Sequence, residues 1–210
     1  VVSGYADAIV LRHPKVGAAR LASEFSDIPI LNGGDGAGQH PSQTLIDLYT
    51  IRQSMSLDNI NIGLIGDLMY GRTTHSLAYA LTHYNARIHT IAPKGLGLPD
   101  SIRDNLEEKG SKVFVHDCIE DVINELDVLY ITRLQRERFP DPAKFFDISS
   151  NYRITPSLLT DVKEHLAILH PLPRVDEIDP AVDSMPYARY FTQARNGVPV
   201  RMAMLTEVMT

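Results

Sequence analysis

The sequence has no tryptophan and only one cysteine, Cys118, among its 210 residues. A single thiol excludes an intrachain disulfide and every zinc pattern built on paired cysteines, and it suits a reducing compartment. Asp117 and Glu120 flank Cys118, and acidic neighbours raise a thiol's pKa, so it is a poor nucleophile. No apolar run reaches the roughly 18–20 residues of a membrane span, and no signal peptide is visible. Gly-x-Gly-x-x-Gly and P-loop patterns are absent, as is a Gly-x-Ser-x-Gly elbow. His75, His83, His89, His116 and His165 share no metal-ligand spacing, so no metal and no cofactor are expected. Basic residues are in the minority, 20 Lys and Arg against 26 Asp and Glu, which argues against a nucleic-acid partner. Absence of a span argues likewise against a membrane one.

What the chain does have is an alternation of short β-rich runs and helical stretches. Strand-like runs are expected at 8–11, 28–32, 60–66, 87–92, 112–116, 128–131 and 167–170. Helices are expected at 17–25, from 41 to about 57, and at 73–84, 99–109, 119–125, 156–162 and 200–208, the last after Asn196-Gly197. Strands alternating with helices imply parallel sheets with helical crossovers. About two strands precede Pro41 and about five follow Asn59. The fold class is therefore α/β, as two parallel-sheet units with the first one incomplete. In such sheets ligands bind beyond the carboxyl ends of strands. The unusual polar clusters fall there: Arg12-His13, Gly33 to His40, Asp67 to Arg72, Arg133 to Gln135 and His170 to Arg174.

Each cluster has a functional and a plain structural reading. In GDGAGQHPSQTLIDLYTI, Gly34 to Ile51, Pro41 suits the first helical position because it lacks an N–H that would be unpaired there. His40 then stands at a helix end that attracts anions and polarised oxygens, where it can hydrogen-bond a carbonyl oxygen. Gln43 offers a donor and an acceptor one turn in. The alternative is an ordinary helix start. In GDLMYGRTTHS, Arg72 lies by a helix N-terminus, where a cation is disfavoured unless an anion joins it; the alternative is an arginine paired with Asp67. In TRLQRERF, Arg133 and Gln135 share a side of an extended segment, and guanidinium suits bidentate carboxylate binding; the alternative is a solvated charged loop. In LHPLPRVDEI, Pro171 and Pro173 restrict the backbone around Leu172, which aims carbonyls in set directions, and one X-Pro bond can be cis; the alternative is a tight turn. Together they describe a site for a small polyanion, working by positioning and electrostatics rather than a covalent nucleophile.

These motifs, with DAIVLRHP and the terminal YFTQARNGVPVRMAML, appear in an order and spacing that resembles the catalytic chains of aspartate carbamoyltransferases across essentially the whole sequence. The resemblance implies two parallel-sheet α/β domains of the aspartate/ornithine carbamoyltransferase type. Residues 1–42 would end a carbamoyl phosphate domain, 43–55 link, 56–189 form the aspartate-binding domain, and 190–210 form a helix returning to the first. It implies transfer of a carbamoyl group from carbamoyl phosphate to L-aspartate in pyrimidine synthesis. Arg12 would bind phosphate, His40 polarise the carbamoyl carbonyl and Gln43 hold its NH2. Arg72, Arg133 and Gln135 would hold aspartate, and carbonyls at Leu172 and Pro173 would orient the amines. It further implies a cytoplasmic homotrimer with shared sites, and in some members a zinc-bearing regulatory chain. Ornithine carbamoyltransferases fit less well: they carry His-Cys-Leu-Pro where this chain has His170-Pro171-Leu172-Pro173, and two arginines suit a dicarboxylate. A non-catalytic relative that binds a dicarboxylate or a partner is the other alternative. The family's Ser-Thr-Arg-Thr motif and Ser-x-x-Lys loop would lie before Val1, so these 210 residues alone are expected to catalyse poorly. Met69 replaces a lysine usual in the family.

Overall fold

The computed structural model describes residues 1–134, 149 and 151–210. Seven parallel strands form two sheets among these residues. The smaller pairs β1 (Ile9–His13) with β2 (Ile30–Asp35), in register Ile9 with Ile30, across helix α1 (Ala18–Glu24). Helix α2 (Pro41–Arg52) then leads to the larger sheet. Its strands are β3 (Asn61–Ile65), β4 (Arg87–Ile91), β5 (Lys112–His116), β6 (Val128–Ile131) and β7 (Ala167–Leu169). Helices α3 (Arg72–Leu81) and α4 (Asp100–Glu108) are the crossovers on one arm. The last helix, Tyr190–Met209, packs back on α2.

Strand order in the larger sheet is β5-β4-β3-β6-β7. The chain runs from the centre to one edge, then returns to lay β6 on the other side of β3. This reversal makes a switch point between β3 and β6, where parallel sheets open a crevice at their carboxyl ends. The central strands are buried on both faces, and alternate side chains feed two cores. Ile62, Leu64, Val128 and Tyr130 point into one, with Leu77 and Leu81 of α3. Ile65, Leu129 and Ile131 point into the other. Burying each such side chain contributes about 1.5–3 kcal/mol. Gly66 ends β3 at φ +119°, where an added Cβ would lie 2.1 Å from the Thr132 carbonyl oxygen. Only glycine lets these two strand ends meet.

Four expected helices differ. Helix α2 stops at Arg52, about five residues short of its expected end. Residues 119–125 contain only a 3-10 turn, Ile123–Glu125. Ile119, Val122, Ile123 and Leu126 are all buried, so docking sets the path of a segment too short to propagate a helix. Residues 156–162 likewise give a 3-10 turn, Pro156–Leu159. The last helix begins ten residues earlier than the periodicity indicates and runs through Gly197 and Pro199. Packing overrides these two helix breakers. Asn196 donates to Thr50 Oγ1 and Gln53 Oε1, both at 2.9 Å, and Gly197 sits against Ile46 of α2.

Candidate active site

The site begins where β2 ends. Asp35 accepts from the N–H of Gly17 at 2.6 Å and of Gln39 at 2.7 Å, which ties the glycine-rich turn to the start of α1. Burial pushes its carboxyl up, but these backbone donors outweigh it and the group titrates below its ordinary value. The turn delivers His40 to the N-cap of α2 and Pro41 to its first position, as the sequence indicates. The His40 N–H donates to Ser76 Oγ of α3 at 2.7 Å. His75, beside it, reaches across with Nδ1 3.2 Å from the Ala37 carbonyl and Nε2 2.7 Å from that of Leu68. Helix α3 thus holds the loops of both sheets in register.

At the switch point a cleft of about 420 Å³ is lined by Arg12, Arg72 and Arg133, by the turn residues Gly36 and Ala37, and by His170 to Pro173. Arg12 comes from the end of β1, Arg72 from the first residue of α3, and Arg133 follows β6. Arg72 donates to the Gly36 carbonyl at 3.0 Å. Burial and the nearby Arg12 charge push its pKa down, and only Asp35 opposes them. A cleft with like charges crowded at one wall favours an anion.

His40 and Gln43 are not among the cleft's described lining residues, and His40 stands beside it. Gly34 packs between His40 and Arg72: an added Cβ would lie 3.2 Å from the one and 3.1 Å from the other. Burial first, then the charges of Arg72, Arg12 and Arg201, push the His40 imidazole down to about 4. It is neutral at pH 7. Ser42 Oγ lies 3.3 Å from its Nδ1, and in the tautomer where Ser42 donates there, Nε2–H is free to donate outward.

The 170–173 segment is fixed from within. Leu172 has φ +54° and precedes a cis bond to Pro173, and its N–H donates to His170 Nδ1 at 2.8 Å. That leaves His170 Nε2–H for Glu177 Oε1, at 2.7 Å. Arg174, part of the same polar cluster, turns away: it pairs with Asp183 and lies over the Tyr190 ring. Met69 is not among the cleft's described lining residues, and its N–H donates to the Leu96 carbonyl. Gln135 lies outside the described residues.

Local sequence did not disclose Asp47. It is fully buried on α2, and its Oδ1 accepts from Gln43 Nε2 at 2.8 Å and from Gln193 Nε2 at 2.6 Å. Gln193 in turn accepts the His170 N–H at 2.8 Å. Burial pushes the Asp47 carboxyl up to about 7, against the hydrogen bonds from Gln43 and Gln193 and the nearby Tyr130 hydroxyl, which draw it down. Ser76 was equally hidden as a partner of His40, which lies 36 residues earlier in the chain.

Two parallel α/β units meeting at an anion-attracting cleft, with a neutral imidazole poised beside it, define a group-transfer site that acts on small anions. Comparison with known proteins narrows this class. The model of the aspartate/ornithine carbamoyltransferase Asp/Orn binding domain matches residues 58–208, and that of the carbamoyl-P binding domain matches residues 1–53. The aspartate carbamoyltransferase catalytic subunit of Methanospirillum hungatei JF-1 is 90% identical over 209 residues, which are 100% of this chain and 70% of that one. The aspartate transcarbamoylase catalytic subunit of M. jannaschii superposes with a TM-score of 0.93 at 50% identity, covering 99% of this chain and 68% of that one. An aspartate transcarbamoylase from Trypanosoma cruzi, solved in complex with carbamoyl phosphate, gives 0.93 at 39% identity, covering 100% and 68%. The chain belongs to the aspartate carbamoyltransferase catalytic-subunit family.

Proposed function

We propose the following division of labour for the family's reaction, transfer of a carbamoyl group from carbamoyl phosphate to L-aspartate to give N-carbamoyl-L-aspartate and phosphate. Arg12 binds the phosphate. The neutral His40 donates Nε2–H to the carbamoyl carbonyl oxygen, where negative charge grows as the amine attacks. A histidine already protonated would be a second cation against the arginines; a neutral one supplies a directed dipole without that repulsion. Gln43 accepts from the carbamoyl NH2. Arg72 and Arg133, with Gln135, hold the two carboxylates of aspartate, and the carbonyls of Leu172 and Pro173 orient the amines. The amine nitrogen bonds to the carbamoyl carbon, the carbon–oxygen bond to phosphate breaks, and the nitrogen sheds a proton. Most of the rate comes from alignment and preorganised charge.

One observation carries this reading: three arginines from separate elements converge with the 170–173 segment on a single cleft at the switch point. The test is the aspartate dependence of carbamoyl-aspartate formation in an Arg133→Ala variant of the full natural protein. The KM for aspartate should rise at least tenfold, equivalent to about 1.4 kcal/mol, with little change in the KM for carbamoyl phosphate. An unchanged aspartate KM removes Arg133 from the site.

The division into carbamoyl phosphate domain (1–42), linking helix (43–55), aspartate domain (56–189) and returning helix (190–210) is part of this proposal, and the two sheets and the packing of the last helix on α2 support it. So is assembly into a homotrimer with shared sites. Val10, Leu21 and Phe25, exposed on the smaller unit, supply apolar surface for a neighbouring copy. Association with a zinc-bearing regulatory chain and a cytoplasmic location complete it. No helix among the described residues is long and apolar enough to cross a membrane.

A further inference from the structure

Gln43 is an amide, so its two ends are near-equal in shape and opposite in hydrogen-bonding sense. Something must decide which end meets a ligand. In this structure the decision is made four residues along α2. Asp47 offers only acceptor oxygens when ionised, and its Oδ1 takes the Gln43 Nε2–H at 2.8 Å. Gln43 Oε1 is then left outward, with no hydrogen bond to any described residue. Asp47 cannot easily swing away. It is 0% exposed, the same Oδ1 is gripped by Gln193 at 2.6 Å, and Gln193 is itself anchored on the His170 N–H at 2.8 Å. On its other side Oδ2 is buried near the Tyr130 hydroxyl, and neither has a hydrogen-bond partner of normal geometry among the described residues. Helix spacing places residues 43 and 47 on one face, so the contact is built into α2 and not dependent on a mobile loop.

We infer that Asp47 is a positioning residue: by fixing the Gln43 amide with its oxygen outward, it makes the site select an acyl phosphate bearing NH2 over one bearing CH3. An outward oxygen accepts from a carbamoyl NH2. Facing the methyl of an acetyl group, the same oxygen is left unpaired, and an unmade hydrogen bond in a desolvated site costs affinity. Freed from Asp47, the amide rotates between its two orientations, and its NH2 end repels the carbamoyl NH2. The inference rests on the proposed role of Gln43, and it adds that the selectivity is set by Asp47 acting through it. The route from Asp47 through Gln193 to His170 also ties the acyl contact to the segment proposed to orient the amines.

The test compares affinities for carbamoyl phosphate and acetyl phosphate, by calorimetry without aspartate, in the full natural protein and its Gln43→Ala, Asp47→Ala and Asp47→Asn variants. Gln43→Ala should reduce the preference for carbamoyl phosphate about tenfold. Asp47→Ala should reduce it to a similar extent. Asp47→Asn keeps a carbonyl oxygen that can accept from both glutamines, and it should retain most of the preference. If Asp47→Ala does not fold, Asp47→Ser serves in its place, since it is small and its hydroxyl is too short to reach Gln43. A preference lost in Gln43→Ala but kept in Asp47→Ala overturns the role of Asp47 alone, as a purely structural aspartate would lower Tm and leave the ratio intact. A preference kept in Gln43→Ala overturns the reading of Gln43 as well. Equal losses in Asp47→Asn and Asp47→Ala would show that charge, not acceptor geometry, matters, and would also overturn the proposal.

Discussion

His40 shows how much of a residue's chemistry is set by what surrounds it. An imidazole ordinarily titrates near 6.5, but burial and three guanidinium groups bring this one to about 4. The folded value lies below the unfolded one, so His40 contributes stability that is full above pH 6.5 and is lost as pH falls from 6.5 through about 4. In the ligand-free protein, a pH series of thermal melts should show Tm falling over that window, with a smaller fall in His40→Gln. An identical slope in both would mean that His40 is not held neutral. His40, Arg12, Arg72 and Arg133 were all visible as sequence oddities, because each stands where local structure gives it no obvious use. Asp47 was not visible. An aspartate inside a helix looks like one more exposed carboxylate, and the partner that helps bury it, Gln193, lies 146 residues away.

Among the elements, the strands of the larger sheet were legible, since INIGLI, VLYI and AIL are apolar runs of strand length between turn residues. Their spatial order was not, because nothing in those residues says that β6 returns to the far side of β3. Gly66 is the residue on which that junction turns. Gly66→Ala would force a side chain into a positive-φ position and against the Thr132 carbonyl, at a cost of about 2 kcal/mol or more. Chemical denaturation should register that loss, and aspartate binding should weaken with it because Thr132 precedes Arg133. A stable variant with unchanged m-value would contradict the close approach. The last helix was only half legible. Gly197 and Pro199 signal an interruption, and only contacts with the preceding helical segment show why there is none: Gln193 and Asn196 satisfy buried groups at Asp47 and Thr50, and Asn196 also donates to Gln53. Short helices at 119–125 and 156–162 give way to 3-10 turns for the opposite reason: burial of side chains such as Ile119, Val122, Ile123 and Leu159 sets the path of segments too short to sustain a helix.

Over the whole molecule, the chain carries an excess of acidic residues, yet it gathers Arg12, Arg72 and Arg133 at one cleft. A net-acidic protein with a local cationic cleft keeps its surface charge and still attracts small anions. The smaller sheet supplies Arg12 and the His40 turn, the larger supplies Arg72, Arg133 and the 170–173 segment, and α2 with the last helix ties the two together. In the proposed roles, these residues hold both substrates together at this cleft. The most direct measurement is a crystal structure of the full natural protein with carbamoyl phosphate and succinate, which has the two carboxylates of aspartate but no amine to react. The phosphate should lie on Arg12, the carbonyl oxygen on His40, the NH2 on Gln43 Oε1, and the two carboxylates on Arg72 and Arg133. A dicarboxylate bound away from Arg72 and Arg133, or an acyl group turned away from His40 and Gln43, would contradict these roles.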